Sequence, residues 1–231
     1  MILLKFSNLL FDADNTLFDF EKASAFAFDS LCSKLDIPNT AETYALYETI
    51  NAELWSAFDR SEISKEFLCR ERFVRFLHQI GLHRDPELCN QIYSSGLGKG
   101  VFPMPYAEEV CQRLSQTHTL YLVTNAVASV QKSRLKNSVF APLITKALIS
   151  EDAHAAKPSP AYFQYVLQHI PGSSKENCLV IGDSLTTDIR GANLSGLPCC
   201  WYNPKYLSGD FSLKINWEIH DLRELYSLLD V

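Results

Sequence analysis

The chain has 231 residues, 47% of them hydrophobic and 21% charged, with a net charge of −6. Its apolar content excludes a disordered chain. Its acidity disfavours a broad nucleic-acid or anionic-membrane surface, and its length suits one large domain or two small ones.

The N-terminal stretch MILLKFSNLLF is apolar but interrupted by Lys5 and Asn8. It has no basic leader and no small-residue cleavage site, so it is not read as a signal peptide. No run approaches the ~20 apolar residues of a transmembrane helix, so no membrane partner is expected. The seven cysteines include no C-x-x-C pair, which leaves a zinc ribbon or a disulfide scaffold without support. They are read as reduced core residues in a cytoplasmic protein.

The first expected strand covers residues 8–12 and runs into Asp12-Ala13-Asp14-Asn15-Thr16. Residues two apart on a strand share a face. Two carboxylates on one face are tolerable if a cation lies between them or if one keeps its proton. A calcium loop of the EF-hand type needs Gly at its sixth position and Glu at its twelfth; counted from Asp12 these are Leu17 and Ala23. A turn or a helix N-cap remains the plain alternative for this pair.

Residues 20–100 show no convincing strand. Four helical patterns fit, at about 21–35, 41–58, 64–80 and 86–95. LDIPNT and GLHRDP break them, with Asn39 or Thr40 as an N-cap. SSGLGKGVFPMP, residues 94–105, is dense in Gly and Pro and reads as a return linker.

From about residue 106 the pattern changes. Strong apolar strands are expected at 119–124 and 178–183, and weaker ones at 143–149, 198–202 and 214–219. Helical patterns at 106–117, 128–137, 160–169, 186–195 and 221–229 separate them. This alternation predicts an α/β fold, a Rossmann-like doubly wound parallel sheet. A helical module, residues 20–100, is inserted after its first strand. Residues 1–19 and 101–231 would form the core.

In open parallel sheets ligands bind at the carboxyl ends of the strands. That rule gathers Asp12, Asp14, Thr124, Asn125 and Asp183. KPSP adds Lys157, and GDSLTTD adds Asp188. Taken singly, most have plain readings: Thr124-Asn125 as a strand-end turn, Lys157 as a surface lysine, Asp183 as a helix cap, Asp188 as a solvated residue. Their order and their shared position at strand ends are what make the set specific.

D-x-D-x-T at 12–16, a strand ending in Thr-Asn, Lys157-Pro158 and Gly182-Asp183-Ser184 with Asp188, in this order, resemble the haloacid dehalogenase superfamily over essentially the whole chain. The resemblance implies phosphoryl transfer. Asp12 would be the nucleophile. Mg2+ would bind Asp12, Asp183 and the backbone carbonyl of Asp14. Asp14 would move protons, and Lys157 would offset charge near Asp12. Thr124 would bind phosphate through its hydroxyl and its backbone N–H, with Asn125 beside it. Asp188 would support the metal site or Lys157. The carbon-attacking dehalogenases typically carry Tyr where this chain has Asp14, so phosphate chemistry is implied. Asn15 and Ala126 stand where glycine is common in the family.

The helical insertion then resembles the small cap of this superfamily, which serves small phosphate monoesters. In closer detail FDADNTLFDF, INAELWSAFDRSEISKEFLCRERF, LVTNA, LISEDAHAAKPSPAYF and CCWYNP are similar to the pyrimidine 5′-nucleotidase branch. Nucleoside 5′-monophosphates are therefore the expected substrates, with Trp55, Phe58 and Phe73 available to stack on a base. A sugar-phosphate or phosphoglycolate phosphatase, an isomerase of the β-phosphoglucomutase type, and a non-catalytic binding protein are the alternatives.

Overall fold

The computed structural model describes residues 6–231. Part of the N-terminal stretch read above as no signal peptide lies outside these residues. The chain divides into two compact units, one made of residues up to Phe20 with Phe102–Val231, the other of Glu21–Val101.

The first unit is built on six parallel strands, β1 (Asn8–Phe11), β2 (Thr119–Thr124), β3 (Ile144–Ile149), β4 (Cys178–Gly182), β5 (Cys199–Tyr202) and β6 (Trp217–Ile219). Their order across the sheet is β3-β2-β1-β4-β5-β6. The α/β expectation therefore holds, and this order is that of a doubly wound Rossmann-like sheet. Every residue of β1 and β4 is buried, as expected of central strands covered on both faces. β1 lies between β2 and β4, with Phe11 level with Leu122 on one side and Ile181 on the other. The chain order reverses at this strand, so the crevice at its carboxyl end is the natural ligand position.

The second unit is helical. It comprises α1 (Phe20–Leu35), whose first residue belongs to the other unit, α2 (Ala41–Asp59), α3 (Lys65–Gln79) and α4 (Pro86–Lys99). Thr40 caps α2, its hydroxyl accepting from Thr43 N at 3.2 Å. An aromatic cluster forms its core, with Tyr47 stacked on Phe73 at 5.6 Å and tilted against Tyr93 at 5.1 Å.

Two expectations need correction here. The segment read as a return linker from residue 94 is helical as far as Lys99. A Cβ on Gly96 would stand 2.8 Å from Ala27 Cα, and one on Gly100 would stand 3.2 Å from Ala23 Cα. Both glycines allow close approach to α1, and at Gly96, inside α4, this outweighs the poor helix propensity. Phe73, offered above as a stacking surface, is fully buried in the cluster; Trp55 and Phe58 are half-buried and meet edge to face at 5.6 Å.

The remaining helices of the first unit are α5 (Ala107–Leu114), α6 (Ala128–Lys136), α7 (Ser150–Ala153), α8 (Pro160–Gln168), α9 (Arg190–Ser195) and α10 (Leu225–Leu228). A π turn, Leu185–Ile189, leads into α9, and a 3₁₀ turn, Leu222–Glu224, leads into α10. A π turn within a helical stretch is a frequent mark of a functional site. None of the seven cysteines is in a disulfide, and six are buried. Among the described residues, no helix is long and apolar enough to cross a membrane.

Candidate active site

The carboxyl ends of β1, β2 and β4 bring together the residues picked out in the sequence. Asp12 follows β1 directly, and its N–H donates to Ile181 O at 2.8 Å. Lys157 Nζ, buried with 2% of its surface exposed, donates to Asp12 Oδ1 at 2.5 Å, to Asp188 Oδ1 at 2.6 Å and to Val123 O at 3.1 Å. All three ammonium protons are therefore placed. Asp12, Asp183 and Asp188 each direct a carboxylate oxygen into one cluster, those oxygens lying within 4.8 Å of one another.

The electrostatics follow from this crowding. Burial pushes the Asp12 carboxyl well above the usual carboxylate range against the pull of Lys157, and the charges of Asp188 and Asp183 push the same way as burial. Burial and then the charge of Asp188 push Asp183 up to about 7. Burial by itself would lower the Lys157 ammonium, but Asp12 and Asp188 outweigh it and hold it above the ordinary lysine range. With all three carboxyls ionised, one ammonium would leave two negative charges uncompensated. A hard divalent cation with oxygen ligands matches both the charge and the donor set, so the cluster fits Mg2+.

The π turn explains how Asp183 and Asp188 both reach the site. Ser184 caps it, its hydroxyl accepting from Thr187 N at 3.2 Å. Asp183 is thus not the cap, which was its plain reading. Trp201 Nε1 donates to Asp183 O at 2.8 Å and fixes its backbone. Asp188 is fully buried, its Oδ2 accepting from Ser184 N at 3.2 Å. A Cβ on Gly182 would overlap the Asp188 carboxylate, so the glycine before Asp183 makes room for that acid.

Thr124 and Asn125 sit otherwise than the sequence suggested. Thr124 N donates to Tyr162 Oη at 2.9 Å, and Tyr162 Oη donates to Leu148 O at 2.5 Å. The Thr124 N–H expected on phosphate is therefore engaged. The Thr124 hydroxyl accepts from Ala126 N at 3.0 Å, which leaves its own proton to donate. Asn125, placed on phosphate by the sequence reading, is instead bound at both ends of its amide by the Lys157 main chain: Nδ2 donates to Lys157 O and Oδ1 accepts from Lys157 N, each at 2.9 Å.

Asp14 stands in the turn after Asp12. Asn15 adopts a left-handed conformation, φ 62°, and its Oδ1 accepts from Phe20 N at 3.2 Å. Asparagine is among the few non-glycine residues at ease there, which accounts for its standing where glycine is common. Asp14 lies near enough to Asp183 to add to the upward push on it. Its Oδ1 accepts from Arg134 Nη1 of α6.

The sequence reading missed Arg134, Tyr162 and Trp201. Arg134 carried one usable signal: it lies four residues after Val130 and three after Gln131, on one helix face. That face proves to be buried, and a buried arginine needs an acid.

The family model for haloacid dehalogenase-like hydrolases matches residues 9–202. The chain belongs to this family. A Bacillus subtilis relative described as a HAD-hydrolase, YfnB, is 37% identical over 98% of this chain and 97% of its own. A crystal structure of YfnB bound to magnesium superposes on this hydrolase with a TM-score of 0.93, covering 98% of this chain and 100% of that one. The pyrimidine 5′-nucleotidase PynA of Streptococcus pneumoniae is 32% identical, over 96% of this hydrolase and 94% of PynA. The pyrimidine 5′-nucleotidase YjjG of Escherichia coli is 25% identical, over 98% and 99%.

Proposed function

We propose that this hydrolase is a magnesium-dependent phosphomonoesterase that acts on nucleoside 5′-monophosphates, pyrimidine before purine, through an aspartyl-phosphate on Asp12. The observation that carries the reading is the clustering of Asp12, Asp183 and Asp188 around Lys157, which with all three carboxyls ionised holds two negative charges in excess. Such a site suits a hard divalent cation and, with it, a phosphate dianion.

Asp12, Asp183 and the backbone carbonyl of Asp14 would hold Mg2+, with Asp188 supporting them. When bound, the ion would offset the charge that otherwise keeps a carboxylate and a phosphate dianion apart. Asp12 Oδ1 is taken by Lys157, so Oδ2 is the attacking oxygen. It forms a bond to phosphorus as the ester P–O bond breaks, and the electron pair of that bond goes to the ester oxygen. Asp14 gives its carboxyl proton to that oxygen, so the alcohol leaves neutral. Water then attacks phosphorus and passes a proton to Asp14. The bond from phosphorus to Asp12 breaks, which frees phosphate and restores the Asp12 carboxylate. Lys157 keeps Asp12 in place and the Thr124 hydroxyl donates to a phosphate oxygen.

The relatives named pyrimidine 5′-nucleotidases support the substrate class. Trp55 and Phe58, half-buried aromatics of the helical unit, are compatible with a substrate that carries a stacking base. Stacking of this kind is worth roughly 1–3 kcal/mol, about ten- to a hundredfold in preference. That prefers a nucleotide without excluding other small esters, so side activity is expected.

The test is phosphate release from a panel of monophosphates at low concentration, with magnesium and with excess EDTA. Pyrimidine nucleotides should lead in kcat/KM, and EDTA should stop all turnover. A lead by a sugar phosphate or by phosphoglycolate overturns the substrate assignment alone. Transfer of phosphate between sugar hydroxyls without release overturns the hydrolytic one.

A further inference from the structure

Arg134 has only 1% of its side chain exposed, whereas its partner Asp14 is 27% exposed. Its guanidinium packs over Phe18, 4.5 Å from the ring centroid, and Phe18 in turn meets Phe140 edge to face at 5.1 Å. Arg134 Nη1 also reaches Gln131 Oε1 at 3.4 Å. Arg134 Nε and Nη2, and Gln131 Nε2, have no protein partner. Among the described residues Asp14 Oδ1 is thus the one anionic acceptor of this buried guanidinium, and a buried charge is costly unless paired. A cost of this kind at a position far from Asp14 in the chain needs a reason.

The geometry points to Arg134 as the positioning residue of Asp14. Packing against Phe18 and the contact with Gln131 restrain the guanidinium, and its Nη1 holds Asp14 Oδ1. With Oδ1 held, Oδ2 carries no hydrogen bond from the described residues. Oδ2 is therefore the oxygen that handles the proton: it gives a proton to the ester oxygen as the ester P–O bond breaks, and takes one from water in the second step. This assignment rests on the phosphomonoesterase reading and deepens it. Arg134 itself, with 1% of its side chain exposed, is assigned no contact with the reacting atoms.

A positioning role has a signature that a purely structural ion pair lacks. Proton donation matters for an alkoxide leaving group and little for p-nitrophenolate. Single-turnover formation of aspartyl-phosphate should therefore be compared for a nucleoside 5′-monophosphate and p-nitrophenyl phosphate, in wild type, Arg134→Gln and Arg134→Lys. In R134Q the alkyl ester should slow by about tenfold or more while p-nitrophenyl phosphate slows less than about threefold. R134K keeps the charge without the planar fork, so it should recover part of the difference and still favour p-nitrophenyl phosphate. Equal losses on the two esters, in R134Q or, should R134Q not fold, in R134K, overturn the inference. So does an alkyl-ester rate that R134Q leaves unchanged. Wild type that releases phosphate from neither ester overturns the phosphomonoesterase reading, and this inference with it.

Discussion

The Asn125 side chain and the Lys157 main chain exchange two hydrogen bonds of 2.9 Å each. This pairing ties the end of β2 to the segment that carries the buried ammonium. It holds the main chain from which Lys157 Nζ reaches Asp12 and Asp188.

Asn125→Ala should loosen that clamp. Two hydrogen bonds in a part-buried setting are worth about 1–3 kcal/mol of stability. The displaced ammonium should lower kcat by on the order of tenfold to a hundredfold. Thermal unfolding and steady-state kinetics check both, and a variant with wild-type kcat would deny the clamp its role.

Asp12→Asn keeps the shape of the side chain and removes both the proposed nucleophile and one carboxylate of the cluster of three. Phosphate release should fall by on the order of a thousandfold or more. The fold should persist, because Lys157 retains Asp188 at 2.6 Å and Val123 O at 3.1 Å. Circular dichroism and a phosphate-release assay on the same preparation decide it; turnover above a few per cent of wild type removes Asp12 from the covalent role.

Magnesium should raise the melting temperature, since an ion that binds only the folded state stabilises it by mass action. At a hundredfold excess over Kd the gain is about 2.7 kcal/mol. Asp183→Asn should lose most of this shift, because it takes a carboxylate from the cluster of Asp12, Asp183 and Asp188. Differential scanning calorimetry with magnesium and with EDTA reads the effect without reference to activity. An undiminished shift in D183N would place the ion elsewhere.

Gly96→Ala tests packing in the helical unit. Alanine gains about 1 kcal/mol in helix propensity over glycine. Its Cβ would stand 2.8 Å from Ala27 Cα, a backbone atom that has no rotamer to yield. Overpacking of this kind costs about 1–3 kcal/mol. The net result should be a lower urea midpoint, and a higher one would show that α1 and α4 separate at little cost.

The parallel sheet and the helical character of α1 to α4 were legible in the chain itself, and so was the placing of Asp12 and Asp183 at strand ends. The reason is local: buried strands announce themselves as short apolar runs, and the acids follow directly where those runs end. Helix ends were less legible. Gly96 and Gly98 read as breakers, since a glycine that packs against a distant helix, as Gly96 does against Ala27, looks in sequence like one that makes a turn. Tertiary structure alone decided the hydrogen-bond partners. Thr124 N–H goes to Tyr162, 38 residues away, the Asn125 amide to Lys157, 32 residues away, and Asp14 to Arg134, 120 residues away. Such pairings depend on where a side chain points after packing, and residue type gives only the donors and acceptors from which the fold chooses.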